Sequence, residues 1–182
     1  MKNTKIRFCI ILIMSLACES NIHTRNYKLP KFDAQDKVEV NNNKSPVLKW
    51  EKPKTWIPSS GSSMRLISFS IPFEGGEGDL SVIQLGGDGG GLKSNVNRWR
   101  GQLKMNTITI EEIKKNIIVH KGKLGAYSLI KIINDKTNNA FICAIFPVLD
   151  QTLFVKLSIK ANYLSNIEEE FIEFCSSLDF SN

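Results

Sequence analysis

The sequence predicts an α+β domain in which an antiparallel β-sheet is backed by helices. Segments with alternating apolar and polar residues, typical of half-buried strands, follow one another across short turns, as expected of antiparallel hairpins. Segments with apolar residues at three- and four-residue spacing, typical of amphipathic helices, lie between these strands and near the C-terminus. Strands in hairpins with helices set between them indicate an α+β arrangement. A chain of 182 residues is long enough for one such domain and a leader.

The first 17 residues predict a bacterial export signal. Lys2, Lys5 and Arg7 precede an apolar run, as in the basic and apolar regions of a signal peptide. The run is about ten residues long, roughly half of what spans a bilayer. We therefore expect residues 1–17 to be removed rather than to form a transmembrane helix.

The end of this segment, Met14-Ser15-Leu16-Ala17-Cys18, resembles the lipobox of bacterial lipoproteins. The resemblance implies that Cys18 receives a lipid, which would hold the protein on the extracytoplasmic face of a membrane in the cell envelope. Ser15 departs from the usual lipobox, which has leucine at that position. Ser15 and Ala17 also suit the ordinary signal peptidase, so plain secretion is an alternative, and an uncleaved anchor is another.

Residues 18–45 predict a flexible tether between the anchor and the domain. They are rich in Asn, Lys and Asp and contain few large apolar side chains. Such a segment cannot bury enough apolar surface to offset its chain entropy. The single α+β domain is therefore expected at residues 46–182.

The first half of this domain predicts strands and turns. In order, it contains a short strand beginning at Leu48, a turn-rich segment around Trp56, a strand at 64–71, a turn at 74–78 and a strand at 79–85. In the strand at 64–71, Ile67, Phe69 and Ile71 alternate with serines, which predicts one buried face.

The second half predicts three helices and three further strands. In order, it contains a helix capped by Ser94, a short helix with a capping box at Thr109 and Glu112, strands at 117–133 (with a turn at 121–123), 140–146 and 153–159, and a helix opened by Ser165 and Glu168. The regular spacing of Val96, Trp99 and Leu103 predicts the buried side of the first helix. In the last helix, Glu168–Glu170 are expected in the first turn, where the helix dipole favours acids.

The glycine-rich loop at residues 86–91 has two interpretations. Backbone N–H groups at a helix start bind anions, but the loop lacks the Gly-Lys-Ser/Thr ending of a phosphate-binding P-loop. A flexible connection whose glycines supply positive φ angles is the favoured alternative. An exposed loop also suits a recognition surface.

The helix after this loop has the most unusual composition in the chain. Trp99 is expected to pack inward, with polar side chains around it, and arginine guanidinium groups suit carboxylate or phosphate. The alternative, which we favour, is a solvated face around a buried tryptophan. If a surface binds a partner, its expected members are Gly89, Gly90, Asn95, Asn97, Arg98, Arg100 and Gln102, and Arg65 is a possible addition.

Charge and residue types exclude several function classes. Removal of residues 1–17 lowers the net charge from +6 to +3, so the dense cationic stripe needed for nucleic acid is missing. His23 and His120 have no motif-bound nucleophile, and we predict no catalytic residues. The spacing of histidines and cysteines predicts no metal site, and nothing indicates a cofactor. Cys143 and Cys175 stand among apolar residues, which favours buried free thiols over a disulfide.

The order of elements over about residues 46–180, ending in Ser-Leu-Asp-Phe, resembles the PsbP/Mog1-like fold. Ser63-Met64-Arg65 and Asn95-Val96-Asn97-Arg98-Trp99-Arg100-Gly101-Gln102 look like a family of uncharacterised bacterial lipoproteins with an Asn-Arg-Trp-x-x-Gln helix. This resemblance implies a fold and an anchor but no catalytic residues. Members of the wider fold are mostly accessory proteins, although a fold does not decide a function.

The sequence thus predicts a non-enzymatic, membrane-tethered module that binds or helps assemble another envelope protein. The first alternative is a small-ligand binder with a cleft beside the glycine loop. A hydrolase is a further alternative, and it would need a deep pocket that holds His120 beside a nucleophile.

Overall fold

The computed structural model describes residues 47–180. The predicted signal peptide, Cys18 and the tether lie outside these described residues. Within them, no helix combines the length and the apolar content needed to cross a bilayer.

The domain is built on an antiparallel sheet of seven strands, which confirms the predicted α+β class. The described residues form nine strands in all, seven of them in this sheet: β1 (Leu48–Lys49), β2 (Ile57–Pro58), β3 (Arg65–Phe73), β4 (Gly76–Gly86), β5 (Ile117–Gly122), β6 (Gly125–Asn134), β7 (Asn139–Val148), β8 (Gln151–Lys160) and β9 (Asp179–Phe180). The order in the main sheet is β2-β3-β4-β8-β7-β6-β5. Strands β1 and β9 form a separate two-stranded sheet, which joins the two ends of the described chain.

Helices cover both faces of the main sheet and create two cores. The helices are α1 (Leu92–Gln102), α2 (Ile110–Lys115) and α3 (Leu164–Ser177), with a 3-10 turn at Ala161–Tyr163 before α3. The first core lies between the sheet and α3 and includes Trp56. The second core lies beneath α1 and α2 and includes Trp99 and Phe154.

The alternation of side chains along the strands assigns residues to these two cores. Ile67, Phe69 and Ile71 of β3 are buried in the first core, as their spacing predicted. In β8, Val155 belongs to the first core, whereas the preceding Phe154 belongs to the second. A strand with period-two geometry in a sheet covered on both faces buries both sets of side chains.

Cys143 and Cys175 are free and buried. Cys143 lies in the second core and Cys175 in the first, so the sheet separates them. Removal from water raises the pKa of both thiols. The sequence favoured this free, buried form over a disulfide.

The predicted capping box of α2 is confirmed. The hydroxyl of Thr109 accepts a hydrogen bond from the backbone N–H of Glu112 (3.2 Å), and the Glu112 carboxylate accepts one from the backbone N–H of Thr109 (2.8 Å). The predicted cap of α1 is wrong: Gly91 is the N-cap and Ser94 lies inside the helix. The glycine loop turns into the helix earlier than Ser94 because Gly91 adopts a φ of 83°.

The predicted start of α3 is also wrong. The 3-10 turn at Ala161–Tyr163 winds directly into the helix at Leu164, so Ser165 caps nothing and no acid occupies the first turn. The acids contact other elements instead. Glu168 forms an ion pair with Lys131 of β6 (2.8 Å), and Glu170 accepts a hydrogen bond from the indole N–H of Trp56 (3.0 Å).

Candidate binding surfaces around helix α1

The glycine loop at residues 86–91 connects β4 to α1 and is tightly packed at Gly89. Gly87, Gly89, Gly90 and Gly91 all have positive φ angles, between 58° and 88°, as the favoured interpretation of this loop requires. Space is also limiting at Gly89, where an added Cβ would lie 2.5 Å from the ring of Phe154. The loop therefore lies against the sheet at Gly89, whereas a Cβ added at Gly87 or Gly90 would meet nothing within 4 Å.

Asn95 fixes the glycine loop to the helix. The residue is only 3% exposed. Its side-chain amide donates hydrogen bonds to the carbonyls of Gly89 (3.0 Å) and Gly91 (2.8 Å). Its oxygen accepts a hydrogen bond from Arg98 Nη2 (2.7 Å). Asn95 thus serves the fold and is not available for direct contact with a partner.

Asn97 and Arg100 hold the connection that follows α1. The side chain of Asn97 exchanges two hydrogen bonds with the backbone of Ile108, at 3.0 and 2.9 Å. Arg100 Nε donates to the carbonyl of Asn106 at 2.7 Å. Two further members of the predicted surface are therefore tied to the protein's own backbone.

The exposed members of the predicted surface are Arg98, Gln102 and, in the glycine loop, Gly90. Gln102 Oε1 accepts a hydrogen bond from Lys156 Nζ of β8 (3.1 Å). Arg98 donates one hydrogen bond to Asn95. Since a guanidinium has five N–H donors in all, others are available to a partner. The outer side of α1 is thus polar, but fewer of its side chains are available to a partner than the sequence predicted. A binding role for this side stays a prediction.

Lys156 is the residue that the sequence analysis missed. It is half-buried on β8, with Nζ 4.5 Å from the centroid of the Phe141 ring. Burial lowers the pKa of Lys156, and the positive charges of Arg65 and Arg98 lower it further, whereas the charge of Asp79 raises it. A lysine in the middle of the apolar run at 153–159 was the available signal.

Arg65 lies in the same neighbourhood. It forms a two-bond ion pair with Asp79, at 2.7 and 2.8 Å, and the hydrogen bond from Arg65 keeps the pKa of Asp79 below its usual value. Both Arg65 and Arg98 act electrostatically on Lys156. We call Arg65, Asp79, Arg98, Gln102 and Lys156 the α1–β8 surface; it contains three cations and one carboxylate, a composition that suits an anionic group.

A cleft of about 420 Å³ lies beside the glycine loop. We call it the loop cleft. Its walls include the apolar side chains of Leu92, Ile145 and Phe154, and among the described residues that line it only Asp88 is charged. This is the position at which a small-ligand site was predicted as the alternative. A larger depression, of about 600 Å³, lies between residues 51–53 and α3 and contains none of the predicted site residues.

His120 does not form the arrangement that a hydrolase requires. Its ring stacks on Tyr127 with centroids 5.5 Å apart, and the Tyr127 hydroxyl bonds to Ser176 at 3.0 Å. His120 lines neither of the two clefts. Within residues 47–180, no cluster of three or more His, Cys, Asp or Glu side chains could hold a metal ion.

Comparisons with known proteins find similarity at the level of structure. No family model and no curated protein matches the chain. A crystal structure from Bacteroides thetaiotaomicron is similar with a TM-score of 0.47 and 10% identity over 75% of this chain. The chain spans about half the length of that protein, covering 46% of it.

Two further solved structures are similar over most of their own length. The cyanobacterial PsbP (CyanoP) of Synechocystis has a TM-score of 0.47 and 12% identity, covering 74% of this chain and 93% of that one. LpqN of Mycobacterium tuberculosis, described as involved in cell envelope biogenesis, has a TM-score of 0.43 and 11% identity, covering 79% and 88%. A PsbP protein is thus among the similar structures, as the order of elements led us to expect. TM-scores below 0.5 transfer no function to this chain.

Proposed function

We propose that this protein is a non-enzymatic, membrane-tethered module of the bacterial cell envelope that binds or helps assemble another envelope component. The observation that supports this proposal most is the α1–β8 surface, where Lys156 is kept half-buried with Arg65 and Arg98 near it. Burial of a charged group without a full ion pair opposes folding. A binding role accounts for this arrangement, because an incoming anion would supply the missing charge.

The partner of this surface would present carboxylate or phosphate groups. Arg98 has N–H donors that Asn95 does not use, and Lys156 Nζ has donors beyond its bond to Gln102. Charge-assisted hydrogen bonds from arginine and lysine to such groups are stronger than neutral ones. Acidic side chains of an envelope protein would fit.

The anchor and tether would set where this capture occurs. A lipid on Cys18 would hold the chain at the membrane, and residues 18–45 would let the domain reach partners near it.

A small ligand in the loop cleft is the second candidate function. The volume of about 420 Å³ lies within the range of small-molecule sites, roughly 300–1,000 Å³. A rise in melting temperature with members of a metabolite panel, in the absence of any protein partner, would favour this function.

Capture of the partner from native envelopes tests the proposed function. Crosslinking and pull-down would compare the wild type with Arg98→Gln and Gln102→Glu. Gln102→Glu keeps an acceptor for Lys156 and adds a negative charge, and Arg98→Gln keeps a donor for Asn95 while removing the positive charge. We expect both variants to lose most of the captured partner, with melting temperatures close to that of the wild type.

Lys93→Gln is the matched control, because it removes a positive charge from an exposed position of α1 outside the α1–β8 surface. It should capture the partner as the wild type does. If Arg98→Gln and Gln102→Glu capture as much partner as Lys93→Gln, the α1–β8 surface is not the contact. If capture and melting temperature fall together, these side chains serve the fold alone.

A further inference from the structure

Among the described residues that line the loop cleft, the carboxylate of Asp88 and the hydroxyl of Ser128 are the polar groups on which this inference depends. Asn95 is bonded to the glycine loop, Gln151 is bonded to Gln84, and Thr152 donates to the carbonyl of Gly87 (2.8 Å). The Asp88 carboxylate accepts one hydrogen bond, from the backbone N–H of Gly90 (2.9 Å), and keeps further acceptor capacity.

The second available group is the hydroxyl of Ser128, for which the described residues supply no hydrogen-bond partner. It lines the cleft together with the apolar side chains of Ile145 and Leu149. The cleft therefore offers hydroxyl and amide groups and one negative charge among apolar walls, since Gln151 accepts from Gln84 through its oxygen and keeps its own N–H donors. This composition matches an apolar group that stands next to a positive charge.

The apolar surface continues beyond the cleft across the sheet. Val119, Ser128, Ile145 and Phe154 stand in one register row on strands β5, β6, β7 and β8, so their side chains point to the same face. Trp99 of α1 packs on Phe154 at 6.0 Å between ring centroids. At the other end of the row, Val119 is 69% exposed.

Leu149 extends this surface at the rim of the cleft. It is the first loop residue of the β7–β8 hairpin, between the paired residues Val148 and Gln151, and its side chain is fully exposed. Its φ is 53°, a conformation that glycine adopts freely and a branched side chain adopts with strain. A strained, exposed leucine beside an apolar cleft points to a contact role.

We propose that the loop cleft and its apolar rim bind an extended segment of a partner polypeptide in which a basic residue stands next to a large apolar residue. The apolar residue fills the cleft between Leu92 and Ile145, and the basic side chain meets Asp88. The flanking segment covers Leu149 at the rim of the cleft and Val119, which is not among the residues that line the cleft. The inference shares with the proposed function a polypeptide partner, but it uses a different surface.

Peptide binding to the purified full chain tests this site. The probes are fluorescent hexapeptides with capped ends: a basic one in which lysine stands between leucines, and an acidic one with glutamate in place of lysine. We expect the basic peptide to bind at least about tenfold more tightly than the acidic one. Asp88→Asn keeps the acceptor for Gly90 and should weaken the basic peptide about tenfold, whereas Asp135→Asn in the β6–β7 turn should not.

Leu149→Gly separates a binding role from a structural one. Glycine relieves the backbone strain at φ 53°, so the melting temperature should stay the same or rise, while affinity for the basic peptide falls. Met64→Ala, at another exposed apolar residue, should change neither. Arg98→Gln should bind the basic peptide as the wild type does. Failure of the loop-cleft proposal is therefore distinguishable from failure of the proposal for the α1–β8 surface.

Four results of the binding experiments would overturn the inference. They are equal affinity for the basic and acidic peptides, no binding of the basic peptide up to about 1 mM, unchanged binding in Asp88→Asn and Leu149→Gly, and binding of free hexylamine as tight as that of the peptide. The last result would assign the cleft to a small organic cation. The inference would also be overturned if the full chain forms a dimer that Leu149→Gly dissociates. The site would then bind a second copy of this chain instead of a partner segment.

Discussion

Gly89 and Gly90 are neighbours in the chain, yet they should tolerate alanine differently. Both have positive φ angles, 62° and 88°, so backbone strain costs about 1–2 kcal/mol at each. Only at Gly89 would the new Cβ meet the Phe154 ring, at 2.5 Å, which adds roughly 1–3 kcal/mol of overpacking. We expect Gly89→Ala to lower the free energy of unfolding, measured with urea, distinctly more than Gly90→Ala.

Gly101→Ala provides the control for these two glycine variants. Gly101 lies inside α1 with open space around its Cα, and alanine there should raise the free energy of unfolding by about 0.5–1 kcal/mol. Equal losses for Gly89→Ala and Gly90→Ala would mean that the Phe154 ring moves aside freely. The loop would then be a looser connection than its geometry indicates.

The sequence predicted the region of the candidate surface but not the role of each residue. The composition of residues 95–102 singled out α1, and the burial of Trp99 is confirmed. Asn95 lies one helical turn before Trp99, on the same side, and this spacing was the available sign of its burial. Asn97 bonds to Ile108, eleven residues away, a contact that depends on how the chain returns and that no local pattern reveals.

At the level of elements, Thr109 and Ser165 provide a direct comparison of two similar cap sequences. Thr109 has its capping box, whereas Ser165 lies inside α3 and caps nothing. We expect Thr109→Ala to lower the free energy of unfolding by about 1 kcal/mol, because the hydrogen bond from the backbone N–H of Glu112 to the Thr109 hydroxyl depends on that side chain. Ser165→Ala should change it by less than about 0.5 kcal/mol.

Chemical denaturation of both variants decides this comparison. A loss at Ser165 equal to that at Thr109 would place the start of α3 at Ser165, as the sequence pattern indicated. The two tetrads, Thr-x-x-Glu and Ser-x-x-Glu, are alike. They differ in what precedes them, since a 3-10 turn already winds the chain before Ser165.

Strands were easier to predict than helix starts. The alternation of Ile67, Phe69 and Ile71 reports a physical constraint, because successive strand side chains point to opposite faces. A helix start depends instead on the backbone before it. Gly91 begins α1 through a positive φ, which a serine three residues later could not reveal.

For the molecule as a whole, the sequence predicted the class of fold but neither the strand order nor the two cores. β4 pairs with β8 through Val82 and Val155, although these residues are far apart in the chain. Periodicity shows that a strand has an apolar face, but it does not choose the neighbour. The helices α1 and α3 cover opposite faces of the sheet, and for this reason β8 carries apolar side chains on both faces. Lys156 is the charged exception within residues 153–159 of that strand.

The anchor is the prediction that decides where all these surfaces operate. If Cys18 is acylated, Cys18→Ala should release the protein from the membrane fraction into the soluble fraction, because the buried acyl chains supply the membrane affinity at about 0.8 kcal/mol per methylene group. The domain should stay folded, since its two cores lie within residues 47–180. Fractionation with a carbonate wash, together with mass spectrometry of the N-terminal peptide, measures both.

Cys9→Ala is the matched control for Cys18→Ala, because it makes the same change within the predicted signal peptide and should leave the location unaltered. A Cys18→Ala protein that keeps Met1 and resists the carbonate wash would identify an uncleaved anchor. A wild-type protein already found in the soluble fraction would indicate plain secretion. In either case the α1–β8 surface and the loop cleft keep their geometry, but the partners that meet them change with the compartment, so this experiment should precede any search for a partner.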